Sequence, residues 1–548
     1  MAESTFGLTV EQPAWESLSS EGDRRRRARA RIPALTILYH PDRARVGERA
    51  VLAGLLEGRT EHLSRLEPGF DPPHRSDPRP LGDRHISRSP LVLRRSGDTG
   101  AVHLSAAESR TRVTANGVAV QEASTFSGPE VERGVVLELS DRVVLLLHHF
   151  TATPVPSPER FGLVGDSEAI LRVRNDVRRV ADLDVPVLLR GETGTGKELV
   201  ARAIHQASRR RNGPCLSVNM GAIPSSLAAS ELFGSTRGAY TGSVRDQAGF
   251  FQRAHGGTLF LDEISEAPHE VQVMLLRVLE TGEVQRVGGP EPQKADVRLI
   301  AATDADLEQA IEEGRFRAPL LHRLAGYEIS IPPLRERRDD FGRLLFHFLR
   351  QELQAIGEEH RLDPPREDES PWMPASVVAR LARYNWPGNV RQLLNAVRQI
   401  VIASRSAEVV QIGPQIERLL REGAAASRAS TTTGGFSEPT PADPLPVRKR
   451  AEPMDYRSPS EVSEAEVIEA LRSTRWEVKL AAERLGISRP SLYLLIDKFP
   501  SIRKAADLSR AEILEARELC GADLDAMVDR LEVSKKGLQQ RMKQLGMD

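Results

Sequence analysis

Val185-Pro186-Val187-Leu188-Leu189-Arg190 runs without a break into Gly191-Glu192-Thr193-Gly194-Thr195-Gly196-Lys197-Glu198. An apolar stretch that stops at closely spaced glycines and a lysine predicts a strand, a tight turn and a helix over Glu198 to Ala207. Glycines let backbone N–H groups approach an anion, and the helix N-terminus adds a favourable dipole field. Lys197 supplies a cation suited to β- and γ-phosphates. The stretch therefore reads as a phosphate loop in an α/β domain with a parallel sheet.

Downstream, Thr258 to Leu261 forms a second apolar strand that ends in Asp262-Glu263. The Ser or Thr that commonly follows the loop lysine as a Mg ligand is Glu198 here. Asp262 is therefore expected to hold Mg, partly through water, and Glu263 to polarise the water that attacks ATP. A solvated turn after a strand is the plain alternative. Val297 to Ala302 is a third strand and leads into Thr303-Asp304. Between the two halves of this site lies Gly238-Ala239-Tyr240-Thr241-Gly242-Ser243, which makes a poor core strand and suits the tip of a protruding loop. An ATPase with such a tip inside its own fold is expected to push on another molecule. From Arg338 to about Leu420 the chain reads as helices only, a small lid.

The 548 residues predict three or four domains, each able to bury a core. Lys and Arg number 76 against 77 Asp and Glu, a formal net charge of -1, so any basic surface must be local. Only Cys215 and Cys520 occur, which excludes a disulfide framework and fits a reducing cytosol. Apolar runs such as Val143 to Leu147 are too short to span a bilayer, and no signal-peptide core follows Arg24 to Arg27. A cytoplasmic protein with no membrane contact is expected.

Residues 1–30 read as an Arg-rich flexible tail or a nucleic-acid arm. Residues 31–151 carry short alternating runs (Leu35 to Leu38, Leu91 to Leu93, Val118 to Val120, Val135 to Leu139) that predict a β-sandwich. The α/β subdomain covers 161–334, the lid 335–420, and a linker rich in Ala, Ser, Thr and Pro 421–460. The remainder, 461–505 and 506–548, repeats at an offset of 46: Glu466 to Ala470 matches Glu512 to Ala516, and Arg484 to Ser488 matches Arg530 to Ser534. Trp476 to Leu485, the turn Gly486-Ile487-Ser488 and Arg489 to Lys498 have helix-turn-helix form, with Ser488, Arg489, Ser491 and Tyr493 placed for the major groove. Lys535 and Lys536 open the matching helix of the second unit, which reads as a second DNA-binding unit or as a structural cap or dimer contact. The fold class is multidomain: a β-sandwich, a central α/β P-loop ATPase with a helical lid, and an all-α end that is single or tandem.

The ordered set Glu192 to Glu198, Glu231-Leu232-Phe233-Gly234, Gly238 to Ser243, Gly256 to Ile264, Pro333 to Arg337 and Trp386-Pro387-Gly388-Asn389-Val390-Arg391 closely resembles the AAA+ domain of bacterial enhancer-binding proteins. Those proteins activate sigma-54 RNA polymerase. The resemblance spans about Phe161 to Leu420. It implies that Gly238 to Ser243 is the sigma-54-contacting loop, with Tyr240 for the usual Phe and Ser243 for the usual Ala. It makes Arg317 and Arg323 the arginine fingers that complete a neighbour's ATP site in a homo-oligomer, typically a hexamer. It further assigns Arg391 to sensing the γ-phosphate, Asn219 to pairing with Glu263, and Thr303 and Asp304 to the sensor. Two departures are Asp304 in place of the family's Asn and Ala318-Pro319 in place of an acidic pair.

The β-rich front segment resembles a forkhead-associated domain, which binds phosphothreonine. The residues that carry this likeness are Arg65, Ser87, Arg88, Arg110 and Asn116; the family's His after the Ser-Arg pair is absent. The C-terminal unit resembles the Fis-type DNA-binding end of the same activators. Together these resemblances imply a transcription activator that binds upstream enhancer DNA, receives a signal from a phosphothreonine-bearing protein and uses ATP with Mg to remodel sigma-54 polymerase. Its rivals are a non-activating DNA-binding regulator, with a degraded ATPase used for assembly, and a protein-unfolding machine, which the helix-turn-helix end disfavours.

Overall fold

The computed structural model describes residues 31–72, 77–97, 100–151, 159–239, 245–364, 371–429 and most of 462–545. The N-terminal tail, the short linker at 152–158 and most of the long linker lie outside the described residues. The chain divides into two compact units, one ending at Gly435 and one beginning at Phe436.

Among the described residues, ten strands open the first unit: β1 (Arg31–Tyr39), β2 (Arg49–Val51), β3 (Glu61–Leu63), β4 (Leu91–Ser96), β5 (Ala101–Ser105), β6 (Val113–Ala115), β7 (Val118–Val120), β8 (Ala123–Phe126), β9 (Val135–Leu139) and β10 (Val143–Thr151). They form two sheets, ordered β2-β1-β10-β9-β6-β7 and β3-β4-β5-β8. Inward residues alternate along each strand. Leu35 and Ile37, Leu137 and Leu139, and Val143, Leu145 and Leu147 meet Leu91, Leu93, Val102, Leu104 and Phe126 in one core.

A half-exposed sheet should show polar residues at the alternate positions, yet β10 is apolar at both. Its other face explains this. Val144 and Leu146, with Val136, Leu38 and Tyr39, belong to the same buried cluster as Phe341, Leu345, Val378 and Ala382 of the helical lid. Each such side chain, fully buried, stabilises by roughly 1.5–3 kcal/mol. An apolar contact of this size opposes the independent motion that is the default for linked domains. The front sandwich and the lid share a core, although their sequences read as separate modules.

The ATPase sheet uses β11 (Val187–Arg190), β12 (Cys215–Asn219), β13 (Thr258–Asp262), β16 (Arg298–Thr303) and β17 (Tyr327–Ser330), in the order β12-β13-β16-β11-β17. A hairpin of β14 (Glu283–Gln285) and β15 (Pro292–Lys294) stands apart from it. All neighbouring pairs in the sheet are parallel, and Arg190 registers with Thr303 while Asn219 registers with Asp262. The C-terminal ends of these strands therefore lie on one edge, where open α/β sheets bind ligands.

The lid has helices at Phe341–Ala355, Ala375–Arg383, Asn389–Ala403 and Pro414–Ala429. The last of these corrects the expected linker start at 421, because the helical segment continues to Ala429. Trp386, 2% exposed, fills the lid centre against Phe341 and Tyr384. Gly342 is required by close approach: a Cβ there would lie 2.2 Å from the Leu38 carbonyl oxygen.

The second unit is helical, with helices at Glu464–Ser473, Val478–Leu485, Arg510–Cys520, Leu524–Leu531 and Lys535–Gln544. A single apolar cluster runs through it, from Val467 and Leu471 to Val528 and Leu538.

Candidate nucleotide site

The phosphate loop leaves β11 at Arg190, which is fixed by a bidentate pair to Glu308 at 2.6 and 2.7 Å. Its glycines are steric necessities. A Cβ at Gly191 would lie 2.8 Å from the Ile331 carbonyl, and one at Gly194, whose φ is +80°, would lie 2.4 Å from that of Gly388. Gly196 has φ +105° and starts the helix Lys197–Gln206. Lys197 Nζ donates to Gly191 O at 2.7 Å, and burial pushes its pKa down against the pull of Asp304, Asp262 and Glu263. Thr195 Oγ1 donates to Glu192 O. Glu198 turns along the exposed flank and pairs with Arg202 at 2.7 Å.

Asp262 ends β13 with its Oδ1 accepting from Glu263 N at 3.0 Å, and burial raises its pKa. Glu263 is left-handed, with φ +54°, an uncommon and strained conformation for a residue with a side chain. Asn219 and Glu263 meet around Gly221: a Cβ there would lie 2.5 Å from Glu263 Oε2 and 3.4 Å from Asn219 Oδ1. The Asn219 oxygen also accepts from Ala222 N at 3.1 Å. Thr303 is buried, its hydroxyl accepting from Ala305 N, and Asp304 accepts from the Thr193 hydroxyl. The loop, Asp262, Glu263 and Asp304 thus converge on one edge.

The lid closes on the loop tip. Arg391 N donates to Gly194 O at 3.2 Å. Asn389, fully buried at φ +51°, donates to Glu192 Oε2 and Thr193 O, both at 3.1 Å, and accepts from Leu334 N at 2.8 Å. Arg335 grips Glu192 with two bonds of 2.6 and 2.8 Å; together with Asn389 it holds that carboxyl below its ordinary range. Arg335 and Asn389 were not among the expected site residues. Their signal lay in the motifs Pro333 to Arg337 and Trp386 to Arg391, whose side-chain targets only the fold reveals.

Three segments match known family models. Residues 163–330 match the model described as "Sigma-54 interaction domain", 335–432 the "AAA+ ATPase lid domain", and 459–499 the "Bacterial regulatory protein, Fis family". These three segments are similar in turn to the sigma-54-interacting, lid and Fis-type segments of those families. Its central segment is an ATPase domain.

Among curated relatives, the DNA-binding transcriptional regulator NtrC of Escherichia coli K12 is 46% identical over 248 residues, covering 45% of this chain and 51% of that protein. The nitric oxide reductase transcription regulator NorR2 of Cupriavidus necator is 39% identical over 341 residues, covering 61% and 62%. The chain therefore spans about half to three-fifths of the length of these relatives. NtrX from Brucella abortus, solved in complex with ATP, is 29% identical with a TM-score of 0.41, covering 70% of this chain and 69% of that one.

The other residues expected at functional sites lie as follows. Arg317 caps the helix Ala318–Leu324, and its N–H donates to the Oε1 of fully buried Gln272 at 3.0 Å. Arg323 lies on the same helix, 58% exposed and 3.6 Å from Glu280. Both arginines face solvent. The departure Ala318-Pro319 occupies the first helical turn, where proline's missing N–H costs nothing.

Of the loop expected to contact sigma-54, Tyr240, Thr241, Gly242 and Ser243 lie outside the described residues; Gly238 and Ala239 are described. The loop base is braced. Ser235 and Gln247 exchange backbone bonds of 3.0 and 2.9 Å, Thr236 N donates to Val287 O, and Arg237 N donates to Asp246.

On the front sandwich, Arg65 N donates to Ser87 O at 3.0 Å, and Ser87 N donates to the buried Thr111 hydroxyl at 2.9 Å. The Ser109 hydroxyl bonds to Ser89 O. The loops bearing Arg65, Ser87, Arg88 and Arg110 are joined in this way, and Arg88 and Arg110 are exposed. Asn116 bonds elsewhere in the fold. It turns the β6–β7 hairpin at the other end of β6, where its side chain accepts from Val136 N and its carbonyl from Arg383 of the lid. The DNA-facing candidates Ser488, Arg489, Ser491 and Tyr493 lie outside the described residues, as do the side chains of Lys535 and Lys536.

Proposed function

We propose that this protein is a sigma-54-dependent transcription activator. An oligomeric ring, typically a hexamer, couples ATP hydrolysis to remodelling of sigma-54 polymerase, binds upstream DNA through its Fis-type end and works in the cytoplasm. The observation that supports this best is the convergence of the phosphate loop, Asp262-Glu263 and the lid on one sheet edge, with Arg317 and Arg323 exposed on the same domain.

The residues fit ATP with Mg. Three glycines whose Cβ atoms would clash or strain shape an anion cradle, and Lys197's bond to its own loop carbonyl is one that a phosphate oxygen would replace. Asp262 offers Mg a carboxylate, partly through water, since Glu198 supplies no hydroxyl. When bound, Mg supplies charge neutralisation at the phosphates. Glu263 orients the attacking water, Asn219 holds Glu263, and Arg391, Thr303 and Asp304 register the γ-phosphate. Arg317 and Arg323 of one subunit stabilise charge at its neighbour's site. The tip carrying Tyr240 and Thr241 then shifts against sigma-54.

The front sandwich takes a phosphothreonine signal at Arg65, Ser87, Arg88 and Arg110, with guanidinium and hydroxyl donors suited to phosphate. Transcription from a sigma-54 promoter in vitro, with ATP and with a non-hydrolysable analogue, tests the whole reading: product is expected only with hydrolysis. A second reading, a regulator that assembles but does not activate, is favoured by Asp304, a carboxylate bonded to the loop tip at Thr193. ATP turnover by the purified protein separates the two.

A further inference from the structure

The C-terminal unit is built twice on one plan. Ser463 and Ser509, 46 positions apart, each begin a helix and receive the same reciprocal cap. The Glu466 and Glu512 carboxylates accept from the serine N–H at 2.8 and 2.9 Å and from its hydroxyl at 2.8 Å in both. The buried positions repeat in the same frame: Val467 with Ile513, Ala470 with Ala516, Ala482 with Val528, Ile487 with Val533 and Leu492 with Leu538.

The turn repeats as well. Gly486 has φ +64° and Glu532, its counterpart, has φ +53°. A side-chain-bearing residue there costs about 1–2 kcal/mol, so the flanking helices impose the turn on Glu532. Its carboxylate is held by Arg472 of the first half at 2.8 Å. Chance likeness between two amphipathic stretches would not reproduce the cap, the left-handed turn and the core positions together.

The Fis-type match ends at 499 and leaves the second half unassigned. Its last helix, Lys535–Gln544, carries Lys535, Lys536, Arg541 and Lys543 and no acidic residue. The corresponding segment of the first half, 489–498, has Arg489 and Lys498 against Asp497. Phosphate neutralisation by basic side chains supplies most sequence-independent affinity for DNA. A structural cap has no need of such a one-signed helix.

We propose that residues 506–548 form a second DNA-binding unit, the stronger phosphate binder of a fused pair, so that one chain offers two helix-turn-helix units to duplex DNA. This rests on the DNA-binding reading of the first half. The shared core and the Arg472–Glu532 pair hold the two units together, so both engage one duplex.

The test uses the full chain and a duplex selected by it from random sequence. Lys535→Gln with Lys536→Gln is expected to lower the salt-dependence slope by about 2, weaken binding about tenfold and shorten the hydroxyl-radical footprint at one end. Lys543→Gln, near the helix end, provides an independent reading, with a slope change of about 1. An unchanged slope and footprint in variants that melt like the parent overturns the proposal, as does loss of self-association with DNA contacts intact. If Arg489→Ala also leaves binding untouched, the DNA-binding reading of the first half is the one that fails.

Discussion

Tyr39, at the end of the first strand of the front sandwich, stacks on Phe346 of the lid helix with ring centroids 5.9 Å apart and planes 22° apart. The same lid reaches the phosphate loop through Asn389 and Arg391. The front segment thus packs on the same lid that bonds to the phosphate loop.

Gly342 marks the tightest point of that contact. Gly342→Ala puts a methyl 2.2 Å from the Leu38 carbonyl, a backbone atom that cannot rotate away. The substitution should destabilise by about 1–3 kcal/mol and lower the urea midpoint of the sandwich and lid together. A midpoint equal to that of the parent would show the contact to be loose.

His148 faces the lid side of β10, fully buried, with Nε2 2.8 Å from the Thr36 hydroxyl. Burial and then Arg49 push its pKa down to about 3. The unfolded chain takes up a proton below about pH 6.5 and the folded chain does not, so stability is complete above that pH and falls as pH drops toward 3. Between pH 7.5 and 5.5 the parent should lose about 1 kcal/mol more than His148→Gln in urea unfolding. Parallel pH profiles would remove this assignment.

Glu192 ties the loop to the lid through Arg335 and Asn389. Glu192→Gln weakens a partly exposed pair worth about 1 kcal/mol, so KM for ATP should rise about threefold to tenfold with kcat less affected. Asn389→Ala removes buried bonds and strands Leu334 N; it should cost about 2–4 kcal/mol in stability and be read by thermal unfolding as well as turnover.

Thr241→Ala should leave ATP turnover largely intact while abolishing transcription from a sigma-54 promoter. Lys197→Ala should lose nucleotide binding, and Glu263→Gln should bind ATP without turning it over. A Thr241→Ala protein that still activates transcription would refute the loop assignment.

Arg65→Ala should abolish phosphothreonine-peptide binding in calorimetry while circular dichroism stays unchanged. Asn116→Ala should leave peptide affinity alone, because Asn116 belongs to the hairpin that contacts Arg383. Equal affinity of the parent for phosphorylated and plain peptides would end the phosphothreonine reading.

Local chemistry made much of the molecule legible. Gly191 to Lys197 could be read because a phosphate loop needs small residues and a lysine in a short contiguous run. The repeat of Glu466 to Ala470 at Glu512 to Ala516, and of Arg484 to Ser488 at Arg530 to Ser534, was legible because helix periodicity is local; the caps at Ser463 and Ser509 emerged only from the fold. Gln272 and Thr111 were not, since a buried amide or hydroxyl looks like any other until its distant partners, Arg317 N and Ser87 N, are known.

By itself the sequence determined the strand-loop-helix of the ATPase, the two-sheet front segment and the doubled C-terminal plan, because each depends on residue type at short spacing. Only the tertiary structure decided that β10 is apolar on both faces in order to join the lid, that Asn116 bonds to Arg383 of the lid, and that Asn389 locks the lid to the phosphate loop. Those outcomes depend on which surfaces meet across hundreds of residues, and close packing of the meeting faces, with most buried polar groups paired, selects among the arrangements that local pattern leaves open.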